Sequence, residues 1–129
     1  LGDVYKRQVL EKTRDSYNVD AISQAIGLAA IKDQAYAQQT WASVRRDRKT
    51  LAEGLTAMGF DVAASQTNFV LAQTPRDVSA LHLYQALKDA GSLVRYFNTP
   101  RLQDALRITV GTPEQNRHLL DQLDQLIGD

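Results

Sequence analysis

From Ala21 to Ile31 the chain carries apolar side chains on nearly every side of a would-be helix: Ile22, Ala25, Ile26, Leu28, Ala29 and Ala30. Asn18 stands ahead of it as a capping residue, with Asp20 as a carboxylate for the first turn. A helix without a polar face has to be covered on several sides. The rest of a 129-residue chain is short of surface to do that. The segment therefore predicts a helix whose partner surface lies elsewhere. The only methionine, Met58, is internal, so the expectation is a fragment of a longer protein.

The remaining pattern is regular. Residues 34–58 keep alternating three- and four-residue apolar steps through Trp41, Val44, Leu51, Leu55 and Met58, with Arg48 in the missing slot. That predicts a helix of roughly 36 Å with Arg45, Arg46, Asp47 and Lys49 wet, closed by Gly59. Residues 60–63 form a weak strand candidate and residues 67–72 a stronger one. Thr74-Pro75-Arg76-Asp77 has the form of a helix start. Val78, Leu81, Tyr84 and Leu87 follow as its buried stripe, and Gly91 as its end. Residues 93–97 and 105–110 are the clearest strands. Thr112-Pro113-Glu114-Gln115 is a capping-box pattern opening a last helix lined by Leu119, Leu120, Leu123, Leu126 and Ile127. The order ααβ(β)αββα predicts an α+β fold, helices packed on a small mixed β-sheet. Parallel pairing is open to the strands at Phe69 and Val94, and a hairpin to the last two.

Lys plus Arg and Asp plus Glu are 15 each, so no basic surface points to nucleic acid. Cysteine is absent, which removes disulfides and thiolate metal sites and fits a cytoplasmic protein. No apolar run reaches the roughly 20 residues of a membrane helix. His82 and His118 fall on different helices, outside any metal-binding pattern. Gly111-Thr112-Pro113 offers a helix N-terminus that either binds an anion or is simply capped. None of Lys6, Lys12, Lys32, Lys49 and Lys88 sits at a strand end as a desolvated nucleophile. Tyr17, Tyr96 and Phe97 are equally consistent with core and with a site. Two residues stand out. Arg95 and Arg107 each interrupt an apolar strand: Arg107 falls on the face opposite Leu106, Ile108 and Val110, and Arg95 shares its face with Leu93 and Phe97, away from Val94 and Tyr96. On neighbouring strands they could bind one carboxylate or phosphate between two guanidinium forks, or simply line a solvated face.

Four stretches carry a family resemblance: Arg14-Asp15-Ser16-Tyr17-Asn18-Val19-Asp20, Ser65-Gln66-Thr67-Asn68-Phe69-Val70, Leu93-Val94-Arg95-Tyr96-Phe97, and Leu106 through Glu114. In this order they resemble the histidinol-phosphate aminotransferases, fold-type I pyridoxal-phosphate enzymes. The resemblance implies the small C-terminal domain, residues 59–129, preceded by a connecting helix pair, residues 10–58. Residues 1–9 are expected to be a leader, with Leu1 to Gln8 outside the family pattern. It further implies that Arg107 and Arg95 hold the phosphate of histidinol phosphate, with glutamate or 2-oxoglutarate using the same place. Pyridoxal 5'-phosphate and its lysine would belong to a large domain upstream, leaving this part inactive alone. The complete enzyme would be a cytoplasmic homodimer of histidine biosynthesis. Arg101 follows Pro100 where glycine is common in the family, so the turn between the arginine strands is expected to differ. The alternatives are another fold-type I enzyme, such as a threonine-phosphate decarboxylase, and a non-catalytic anion-binding α+β module.

Overall fold

The computed structural model describes residues 2–14 and 17–128. Among them the elements are α1 (Gly2–Thr13), α2 (Ala21–Lys32), α3 (Gln34–Ala57), β1 (Asp61–Val62), β2 (Phe69–Gln73), α4 (Ala80–Asp89), β3 (Arg95–Tyr96), β4 (Ala105–Thr109) and α5 (Pro113–Gly128). Two compact units divide the chain, residues 1–37 and residues 38–129.

In the first unit α2 forms where the apolar run predicts it, and none of its residues is buried. Ile22 and Ile31 are 73% and 70% exposed. Its cap is Asp20 rather than Asn18. The Asp20 carboxylate accepts from the Ser23 backbone N–H at 2.9 Å and from the Ser23 hydroxyl at 2.6 Å. Asn18 instead accepts from the Arg14 guanidinium at 2.7 Å. Helix α1 was not expected; its Val4, Tyr5, Val9 and Leu10 are all exposed.

The second unit is built around a four-stranded sheet ordered β1-β2-β4-β3. Its core joins Val70, Ala72, Leu106 and Ile108 from one sheet face to Leu51 and Leu55 of α3, Ala80, Leu83 and Leu87 of α4, and Leu119 and Leu123 of α5. Helix α3 ends in a Schellman motif. Gly59 takes φ +86°, its N–H bonds the Thr56 carbonyl, and the buried Phe60 bonds back to Leu55. Gly91 ends α4 in the same way, with φ +84°. The capping box of α5 is reciprocal. Gln115 N–H donates to the Thr112 hydroxyl at 3.3 Å, and Thr112 N–H to the Gln115 side-chain oxygen at 2.9 Å.

Four expectations are corrected. The sheet is antiparallel throughout, not mixed. Strand β4 inserts between β2 and β3, so the two strands flanking α4 never pair. Helix α4 starts at Ala80, capped by Ser79, because the Thr74 hydroxyl donates to the Val78 carbonyl (2.7 Å) and to the Asp104 carbonyl (3.3 Å), and Asp77 adopts a left-handed φ of 69°. Its buried stripe accordingly runs Ala80, Leu83, Leu87, leaving Leu81 exposed. On α3 the buried residues begin at Asp47, which accepts from the Arg46 Nε at 3.1 Å, while Trp41 is 52% exposed.

Candidate functional site

Strand β4 has β2 on one side and β3 on the other, so a residue in its middle has neighbours on both flanks. Arg107 is that residue. Across β2 it faces Leu71, and across β3 it faces Arg95. Directly opposed residues of an antiparallel pair share a face with Cα atoms about 5 Å apart. The structure thus brings Arg95 and Arg107 together on one side of the sheet. The register adds Phe69, Leu71, Gln73 and Thr109 to that face, away from the core residues Val70, Ala72, Leu106 and Ile108.

The environments of the two arginines differ. Arg95 is exposed, and its guanidinium carbon sits 5.0 Å from the centroid of the Phe97 ring. Arg107 is half-buried, with its guanidinium carbon 5.0 Å from the centroid of the Phe69 ring. Its Nε is enclosed and has no hydrogen-bond partner. A buried donor without an acceptor is costly, and an oxyanion would supply the missing acceptor. Chemically the face offers two fork-shaped cations, flanked by half-buried rings that lower the local polarity: a site for binding and orienting an anion. Farther along the same face Asp61, Leu71, Gln73, Arg101, Asp104 and Ala105 line a cavity of about 120 Å³.

The other sequence candidates fall elsewhere. Tyr96 points to the core side and stacks on Tyr84 at 6.0 Å. Tyr17 is 87% exposed. The α5 N-terminus is taken up internally: besides the capping box, the Gly111 N–H donates to Asn116 Oδ1 at 2.9 Å. All five lysines are exposed and lie on helices α1 to α4, none on the sheet. His82 and His118 are exposed too, and no three ligating side chains cluster among the described residues. Arg101 follows Pro100 with a left-handed φ of 74°, and the Leu102 N–H closes a turn on the Thr99 carbonyl at 3.1 Å. The turn between the arginine strands thus keeps a conformation suited to glycine, with arginine in its place. Strand alternation already set Phe97 on the face of Arg95; sequence reasoning missed Phe69, for which there was no signal before the register of β2 on β4.

The sequence model of the family "Aminotransferase class I and II" matches residues 6–123. The chain belongs to this family. Over 118 residues, 92% of the chain, it is 50% identical to histidinol-phosphate aminotransferase 1 of Nostoc sp., covering 33% of that protein. The chain thus spans about a third of the length of the curated relatives it matches. Among solved structures, the histidinol-phosphate aminotransferase of Clostridium acetobutylicum superposes with a TM-score of 0.81 at 21% identity, over 92% of this chain and 36% of that one. The Sinorhizobium meliloti histidinol-phosphate aminotransferase, solved in complex with pyridoxal-5'-phosphate, gives 0.76 at 22% identity, over 94% and 33%. The fold is that of fold-type I aminotransferases. Among the described residues of this family member, no helix is long and apolar enough to cross a membrane.

Proposed function

We propose that this chain is the C-terminal part of a histidinol-phosphate aminotransferase, which moves an amino group between L-histidinol phosphate and 2-oxoglutarate in histidine biosynthesis. The observation that carries the reading is the cross-strand pair Arg95–Arg107, with the Arg107 Nε buried and lacking an acceptor. The 50% identity to the Nostoc enzyme supports the choice of substrate. The pair holds the substrate phosphate, and the carboxylate of glutamate or 2-oxoglutarate takes the same place in the other half-reaction. Fixing that remote anion restricts where the amino-bearing carbon can lie. Pyridoxal 5'-phosphate is the cofactor of this reading, on the strength of the family and of the cofactor-bound Sinorhizobium structure. The residues present do not fit the bond to it, since every lysine is an exposed helix residue. Holding the cofactor therefore falls to the rest of a cytoplasmic, homodimeric enzyme, and this chain alone is inactive.

Two measurements test the proposal. Incubated with pyridoxal phosphate and reduced with borohydride, the 129-residue chain should give no stoichiometric adduct on a single lysine and no transamination above background. In the complete enzyme, Arg107→Ala should raise the KM for histidinol phosphate at least about tenfold, since stranding one partner of a desolvated charge pair costs about 2–5 kcal/mol. Arg95→Ala should harm the phosphorylated substrate more than glutamate. Lysine at either position should rescue only in part, keeping the charge and losing the fork. An active chain, or arginine variants with unchanged kinetics, would defeat the reading.

A further inference from the structure

The two arginines sit opposite each other, yet their guanidiniums lean apart. Arg95 lies on Phe97, which follows Tyr96 toward the Ala105 end of β4. Arg107 lies on Phe69, the register partner of Thr109 at the other end. Like charges on directly opposed residues repel. An arginine side chain is long and rotamer-rich, whereas a half-buried ring is fixed by its packing. A cation over the face of such a ring is held electrostatically as well as by contact. Neither phenylalanine belongs to the buried core, so neither is needed there to fill it.

We propose that Phe69 and Phe97 are positioning residues of the anion site: each ring clamps one guanidinium, and together they set the spacing at which the two forks meet one oxyanion. The inference rests on the reading of Arg95 and Arg107 as the substrate's anion site. It divides the work between the rings. Phe97 acts through Arg95 and so on the phosphorylated substrate; Phe69 acts through Arg107 and so on phosphate and carboxylate alike. Leucine at either position keeps an apolar side chain and loses the π face. Tyrosine keeps both.

The test compares Phe97→Leu and Phe69→Leu with Phe97→Tyr and Phe69→Tyr in the complete enzyme. The readouts are KM and kcat for histidinol phosphate and for glutamate, with inorganic phosphate as a competitive inhibitor and thermal melting as the folding control. Phe97→Leu should raise the KM for histidinol phosphate and the Ki for phosphate roughly three- to tenfold, leaving the KM for glutamate within about twofold. Phe69→Leu should raise all three by a similar factor. Both tyrosine variants should stay within about twofold of wild type, with kcat little changed throughout. If Phe69→Leu fails to fold, the Phe97 pair decides. Leucine variants that bind phosphate like wild type while Arg95→Ala loses it would overturn the positioning role and leave the anion site standing. Tyrosine variants as impaired as leucine would overturn it too, because packing rather than the π face would then be at work. If Arg95→Ala and Arg107→Ala also bind normally, the underlying site falls, and the inference with it.

Discussion

Alternate residues of the same two strands have opposite fates. Val70, Ala72, Leu106 and Ile108 are at most 1% exposed, covered by α3, α4 and α5. Their immediate neighbours Phe69, Leu71, Arg107 and Thr109, on the opposite face, are half-buried or open. One face has only apolar side chains, and nothing in it can bind anything polar. The other carries two cations opposed across a strand pair, an arrangement that adds repulsion and a stranded donor rather than stability. Because side chains alternate with a period of two, the core face can hold the fold while the arginine face stays free to carry charge. Charges that would destabilise a core are tolerated one residue away from it.

The strongest way to break this comparison is to delete one side chain from each face. Leu106 is fully buried, so Leu106→Ala should cost the 129-residue chain about 2–5 kcal/mol, read as a lowered urea midpoint. Arg107→Ala, on the next residue, should stay within about 1 kcal/mol of wild type, because it removes a buried donor that has no partner. Equal losses at the two positions would mean that the arginine face belongs to the core.

Much of the core face could be read in advance. The alternation placed Leu106 and Ile108 against the helices, and the glycine stops of α3 and α4 and the capping box of α5 are local chemistry with local signals. The arginine pair was legible as two residues that each interrupt an apolar strand of an expected hairpin, and the β3–β4 register sets them opposite each other. What no local pattern encodes is the pairing of β4 with β2, segments more than thirty residues apart, and Phe69 reaches Arg107 only through it. Local signals also misled where two of them competed. Thr74-Pro75 has the form of a helix start, yet the Thr74 hydroxyl is drawn to Val78 and Asp104, and Ser79 caps α4 instead. In α2 the composition was apolar and the helix formed, but apolar content became no burial at all.

A smaller effect is expected at the turn that sets β3 against β4. Arg101 holds a left-handed backbone, which costs a side-chain-bearing residue roughly 1–2 kcal/mol relative to the right-handed region. Arg101→Gly should therefore raise stability by about 0.5–1 kcal/mol, allowing for the larger entropy of glycine in the unfolded chain. The arginine pair beyond the turn should keep its register, so substrate KM in the complete enzyme should not change. A destabilised variant would show that the Arg101 side chain is needed in the cavity it shares with Asp61 and Asp104, and that the two ends of the arginine face are coupled.

The smallest effect concerns acid. The Glu114 carboxyl, in the first turn of α5, is held below its ordinary value of 4.5, first by the hydrogen bond from its own backbone N–H, then by the Thr112 hydroxyl and the nearby Arg117 charge. A depressed carboxylate stabilises the fold fully above its unfolded value, and that contribution disappears as pH falls through the lowered folded value. Wild type should therefore melt slightly above Glu114→Gln near neutral pH, and the two curves should converge below pH 4.5. Glu114 is fully solvent-exposed, so the gap should be small and should shrink further with added salt. The uncharged Thr112–Gln115 capping box does not titrate and should hold the helix start in both proteins. Acid should then loosen the α5 end of the core face, seen as faster amide exchange from Glu114 to Asn116, before it affects β4 around Arg107. A gap that persists below the depressed value would assign the stabilisation to side-chain shape rather than charge, and the helix-covered face would have no acid-sensitive edge at that end.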